Sequence, residues 1–205
     1  MTRSILILGA CLIVLCVIVA SCRSTESRGF GGIEQAKYTV LAQEGKFAIR
    51  QYAPQIVAET TVEAGFDEAG DIAFDRLYGY ISGKNQTQAS IAMTAPVEQK
   101  GDSEKIAMTA PVEQVQSGDT FTVSFMMPAK YTLATLPEPL DPNVRLREVP
   151  AQKMAAVRYS GTWSQKRYEE KKAALEQVIA DQGLTITGPA TFARYLETQH
   201  VGMLT

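Results

Sequence analysis

Past Cys22 the chain has no cysteine, and the other two, Cys11 and Cys16, precede it. Intradomain disulfides, a thiol nucleophile and a cysteine-based zinc site are therefore excluded from everything downstream. Histidine is almost as scarce: His200, near the C-terminus, is the only one. A Ser-His-Asp triad or a multi-histidine metal site therefore has very little to build on. No excess of positive charge is present either, with 20 Lys and Arg against 22 Asp and Glu. Nucleic acid is not an expected partner of such a surface. No carboxylate pair or nucleophile motif stands out, and an enzymatic reading built on Glu59 or Glu63 ranks last, so no catalysis is expected.

What is present is ordinary for one packed domain plus a short extra segment: 205 residues, 45% apolar and 20% charged. The extra segment is N-terminal. Arg3 precedes an uncharged run from Ile5 to Ala20, the pattern of a secretory signal. The run ends Val19-Ala20-Ser21-Cys22, which resembles the bacterial lipobox, in which small residues precede a cysteine that is acylated and becomes the new N-terminus. A transmembrane anchor is the alternative, but the run falls short of the about 20 apolar residues that a span needs. The expected division is a lipoprotein signal peptide over 1–21, a lipidated Cys22 and flexible tether over 22–36, a domain over 37–199 and a tail over 200–205. Cleavage would remove Arg3, taking the formal charge from −2 to −3. The expected location is the cell envelope, on the periplasmic face of the outer membrane if the cell is Gram-negative, since Arg23 is not the aspartate that favours inner-membrane retention.

Within the domain the apolar period changes repeatedly. Residues 46–52 (KFAIRQY) and 56–62 (IVAETTV) alternate and read as strands. Phe66, Ala69, Ala73, Leu77 and Ile81 then recur at helical spacing, with acidic residues in the first turns and Gly83 as a stop. Strands are expected over 120–127, 144–149 and 154–159. A capping box at Thr162–Gln165 and a helix from Tyr168 to Gly183 follow, then a strand pair over 184–187 and 190–197. Each half thus runs strand, strand, helix, strand, strand, an α+β pattern with helices on an antiparallel sheet.

One nonapeptide occurs twice: IAMTAPVEQ stands at 91–99 and again at 106–114. The polar linker between the copies suggests a hairpin-like pair of extended segments. Thr94 and Thr109 could satisfy main-chain groups beside Pro96 and Pro111, which would make the motif a structural corner.

IAMTAPV resembles the signature of the SOUL haem-binding family, and so do FAIRQYAPQIVAET, LYGYISGKNQ, FMMPAKYTLATLPEP and ATFARYLE, in order, across Tyr38 to Gln199. The resemblance implies a distorted antiparallel β-barrel with two helices, built from two β-α-β-β repeats and shared with effector-binding domains of transcription regulators. It implies non-covalent binding of haem b or a related porphyrin in a hydrophobic groove beside a helix. Candidate ligand contacts are Met93 and Met108 as polarizable lining, Tyr78 as an aromatic wall, and Arg50, Arg76, Lys84 and Arg158 as propionate partners. For the methionines ordinary core packing is the competing reading. His200 reads first as a solvated tail residue, with iron ligation as its alternative. Another apolar or amphiphilic ligand, or a ligand-free structural role in the envelope, is the alternative function.

Overall fold

The computed structural model describes residues 24–25, 33–87, 103–160, 164–195 and 199–205. The chain begins with three strands, β1 (Ser24–Thr25), β2 (Glu34–Gln35) and β3 (Tyr38–Glu44). A first half follows: β4 (Phe47–Tyr52), β5 (Gln55–Glu63), α1 (Phe66–Ile81), the short β6 (Asn85–Gln86) and β7 (Thr109–Ala110), then β8 (Val112–Ser117) and β9 (Thr120–Met126). The second half holds the short β10 (Glu138–Pro139), then β11 (Arg145–Val149), β12 (Gln152–Tyr159), α2 (Gln165–Asp181), β13 (Thr191–Arg194) and β14 (Gln199–Leu204).

The main sheet has the order β1-β3-β4-β12-β14-β13-β8-β9-β5-β11, antiparallel throughout. Set β1 and β3 aside and the order is a palindrome under exchange of the halves: β4 answers β11, β5 answers β12, β8 answers β13 and β9 answers β14. Each half lends its first strand to the other half's side of the sheet. The α+β expectation with two repeated halves is met, and the sheet curls into a half-barrel. The curl shows in one cluster, where Tyr52 of β4 and Met126 of β9 pack together with Ala36 and Met154 although four strands separate them in the sheet order.

Alternation sends Phe47 and Ile49 of β4 to the helix-covered face, and Ala48, Arg50 and Tyr52 to the other. On the covered face the ring of Phe66, at the start of α1, meets Phe121, Tyr168 and Phe192 at centroid distances of 5.8, 5.5 and 6.0 Å. One aromatic knot thus joins both helices to the sheet. The stripe expected on α1 is the buried one, with Ala69, Ala73 and Leu77 fully covered. Asp67 and Glu68 complement the helix N-terminus, and Gly83 ends the turn at φ 116°, where a side chain would be strained.

Several local expectations change. The C-terminal residues are not a tail: β14 lies inside the sheet, paired to β12 and β13. Its signal was masked because Gly202 breaks the apolar alternation. The Met154 side chain fills the space that the glycine leaves, its Cε 2.8 Å from where a Cβ would be. Residues 184–187 form no strand. Thr187 N–H bonds the Leu204 carbonyl of β14, and Leu184 packs against the main core. The cap of α2 is Ser164, whose Oγ accepts from Arg167 N–H at 3.3 Å, two residues later than the expected box. In the second nonapeptide the extended stretch breaks at the cis Ala110–Pro111 bond into β7 and β8. The first copy, with Met93 and Thr94, lies outside the described residues, as does Thr162 of the expected capping box. So does Cys22, although the expected tether contains β1 and β2.

The segment from Ile33 to Ala36 crosses the helix-free face. There β2 pairs in parallel with β7, Ile33 packs on Ala110, Ala193 and Tyr195, and Ala36 packs on Tyr52, Met126 and Met154.

Candidate functional site

Three places on this frame have the shape or chemistry of a site. The first is a flank of α1. Phe74 and Tyr78, one helical turn apart, stack at 5.7 Å with their rings 7° from parallel, and both are exposed, at 39% and 48%. Phe74 is braced edge-on by Phe125 of β9 at 5.6 Å. The second nonapeptide passes along this flank. Ile106 N–H bonds the Ile81 carbonyl at the end of α1, and Val112 is in register with Phe125. Between those fixed ends Thr109 Oγ donates to the Met126 carbonyl, and Met108 is left 40% exposed. The threonine's partner is thus a distant carbonyl at the end of β9 and not a group beside Pro111, and the methionine beside it is surface, not core. Lys84 folds back across the last turn of α1, its Cδ 3.0 Å from where a Cβ on Gly79 would be.

The fold divides the candidates named from sequence. Tyr78 and Lys84 come to this end and flank of α1, and Met108 is exposed two residues past Ile106, which is bonded to the helix end. Arg76, roughly 200° around the helix from Phe74 at 3.6 residues per turn, reaches β5 instead, donating to Thr60 Oγ1 and the Thr61 carbonyl. Arg50 is on the opposite face of the sheet, buried, with Nη1 3.2 Å from the Tyr52 hydroxyl and its guanidinium 4.5 Å over the Tyr38 ring. Arg158 is exposed on β12, and the main chain of His200 lies between Arg158 and Ala193. Phe74 escaped the sequence reading, although its spacing of four from Tyr78, off the core stripe, was a readable signal.

The second place is the helix-free face around Arg50. Tyr52, Tyr195 and Glu113 converge there, with a hole of about 10 Å³ bordered by Tyr52, Glu113 and Met154, room for about one water. Burial pushes the Glu113 carboxyl up to about 7, against the pull of the Arg147 guanidinium. Burial likewise drives the Tyr195 hydroxyl well above its ordinary value. Arg147 itself pairs with Glu59 at 2.9 Å, so Glu59 is held as an ion-pair partner.

The third place is a cavity of about 520 Å³ between the β2 segment, the β4–β5 turn and the chain leaving β9. Met126, Met127, Ile56 and three prolines, Pro54, Pro128 and Pro150, give it apolar walls. Lys37, Glu34 and Glu148 give its lining one positive and two negative charges, and the Glu34 carboxylate already accepts from Ala129 N–H at 3.0 Å.

Among the described residues no cluster of three or more His, Cys, Asp or Glu could hold a bare metal ion, and no helix is long and apolar enough to cross a membrane.

A family profile described as SOUL heme-binding protein matches residues 33–199, and the chain belongs to that family. It is similar to heme-binding protein 2 of Homo sapiens, 27% identical over 165 residues that cover 80% of this chain and 74% of the human one. It is also similar to the Mus musculus protein of the same name, 27% identical over 142 residues, covering 69% of this chain and 65% of that one. A solved structure described as a hydrolase from Listeria innocua superposes with a TM-score of 0.54 at 16% identity, covering 80% of this chain and 94% of its own. An uncharacterized conserved protein from the same organism gives 0.53 at 14% identity, with the same coverage. At such identities the two structures speak for the fold alone.

Proposed function

We propose that this protein binds haem or a related tetrapyrrole without a covalent bond, on the flank of α1, while held to the cell envelope by lipid on Cys22. The family supports the ligand class. The observation that supports the place is the exposed, nearly parallel stacked pair Phe74 and Tyr78. A tetrapyrrole is a flat apolar plate with acidic side chains, and it needs an apolar shelf, a soft or phenolic donor for a bound iron, and a cation at the rim. The residues fit. The two rings form the shelf, the Tyr78 hydroxyl is a donor on it, the exposed Met108 thioether is a soft donor on the segment bonded to the end of α1, and Lys84 is the nearby cation. Haem b would supply redox-active iron, but no catalytic step is part of the proposal.

The test is a hemin titration of the domain from Arg23 onward, followed through the Soret band. Saturable binding at micromolar hemin is expected. The double variant Phe74→Ala, Tyr78→Ala should weaken it by roughly tenfold or more, given about 0.5–1.5 kcal/mol for each aromatic contact beyond its buried area. Both rings are exposed, so the fold should survive, as checked by far-UV circular dichroism. Met108→Ala should shift the Soret maximum, while His200→Ala should leave it in place. No saturable shift for the parent domain would overturn the reading.

A second reading is motivated by the cavity of about 520 Å³, a size that suits a small organic ligand. Its two carboxylates against one lysine oppose a dianionic porphyrin, so it favours a different apolar or amphiphilic molecule. Binding that survives the Phe74 and Tyr78 substitutions would point there.

A further inference from the structure

The strand β1 begins two residues after Cys22, so at about 3.3–3.6 Å per residue its first residue lies within roughly 7 Å of that cysteine's Cα. It is also fixed to the body of the protein: Ser24 pairs with Thr39 and Thr25 with Tyr38, at the edge of β3. An acyl group on Cys22 therefore delivers the bilayer to β3 and not to a freely moving domain.

The strand β3 has an unusual surface for its position. Every residue from Val40 to Glu44 is exposed, and among the described residues β1 covers the edge at Tyr38 and Thr39 alone. The two residues next to the covered pair are apolar, Val40 at 37% and Leu41 at 51% exposure, and the ladder to β4 is irregular between Val40 and Ala42. Lys46, in the turn after β3, and Arg158, whose N–H bonds the Lys46 carbonyl at 3.1 Å, are exposed cations with no ion pair among the described residues.

We infer that the β3 edge is a membrane-seating surface: Val40 and Leu41 enter the boundary between headgroups and acyl chains, and Lys46 and Arg158 meet anionic headgroups. The inference rests on the lipid-anchor reading. Two apolar side chains would not hold a protein on a membrane alone, and exposed Leu or Val is common. Here the anchor already confines them to the interface, so the seating is an intramolecular event at high effective concentration. The free main-chain groups of the β3 edge limit the depth, since unpaired N–H and C=O groups remain at the hydrated headgroup level. The helix α1 packs on β5 and β9 and not on β3, so the Phe74–Tyr78 shelf is separate from the seating surface.

The test uses the full chain, processed in bacteria and reconstituted into vesicles of phosphatidylethanolamine and phosphatidylglycerol. Acylated Cys22 leaves no other thiol after cleavage, so Leu41→Cys and Leu140→Cys each accept a single nitroxide label. Leu140, 61% exposed and tied to Lys84 beyond α1, is the water-side control. Accessibility to oxygen relative to a water-soluble nickel chelate is read by electron paramagnetic resonance. The ratio is expected to be several-fold higher at position 41 than at 140. Equal ratios with Cys22 acylated by mass spectrometry would overturn the seating and leave the anchor standing. A mass without acyl chains would overturn the anchor, and the seating with it.

Discussion

Both main-chain polar groups of Glu104 are held by the side chain of Asn85: Oδ1 accepts from the Glu104 N–H at 2.9 Å, and Nδ2 donates to the Glu104 carbonyl at 2.8 Å. Nδ2 also donates to the Tyr80 carbonyl at 2.7 Å, so this asparagine, 2% exposed, staples the end of α1 to the segment leading into the second nonapeptide. Its loss removes the side-chain partner of the half-buried Glu104 N–H and carbonyl, while the Tyr80 carbonyl keeps the Gly83 N–H. Asn85→Ala should cost about 2–4 kcal/mol, read as a lower midpoint in urea unfolding. Because the same segment carries Met108, hemin affinity should fall as well, even under conditions where the variant is folded.

The asparagine also marks where sequence reading ran out. Residues on a strong period were legible: the α1 stripe from Phe66 to Ile81 and the alternation of β4, β5 and β9 all follow from burial on one face. Asn85 and Thr109 have no period, because their role is to satisfy particular carbonyl and amide groups brought near by the fold. The expected cations were separated for a similar reason. Arg50 and Arg76 look alike in the sequence, but strand alternation puts one on the helix-free face and helical rotation turns the other toward β5.

Thr109 offers a cleaner test of such a role. Its hydroxyl donates to the Met126 carbonyl, joining the nonapeptide to the end of β9. Thr109→Val keeps the shape and removes the donor, and should cost about 1–2 kcal/mol. Thr109→Ser keeps the donor and should cost less than the valine. Thermal or urea unfolding of the pair decides it: equal losses would mean that the methyl group, not the hydroxyl, matters here.

Glu113 predicts a pH dependence. Its carboxyl is raised to about 7 in the fold, chiefly by burial, above its ordinary value of 4.5. Between those values the folded state holds more protons than the unfolded one, so stability falls as pH rises. The contribution is complete below about 4.5 and lost as pH passes about 7. Glu113→Gln should remove this slope and stabilise the protein at pH 8 by on the order of 2 kcal/mol. Parallel unfolding curves for parent and variant across pH 5 to 8 would show that the group is not buried in this way.

The position of β14 makes the strongest claim about the fold. Seven residues from Gln199 to Thr205, taken alone, are too short and too interrupted by Gly202 to announce a strand. In the fold they stand between β12 and β13, and Met203 is buried in the main core. Removing them strips the ladder from both neighbours, so the second half keeps its helix but loses the strand that joins β13 to β12. A mere tail could be cut with an effect within about 0.5 kcal/mol, as for most surface changes. Here truncation after Thr198 should instead abolish cooperative unfolding and expose apolar surface to a dye such as ANS. Deletion of Thr205 alone, whose N–H makes one 3.3 Å bond to the Lys153 carbonyl, should be tolerated. A truncated chain that still unfolds in one sharp transition would contradict the central placement of β14.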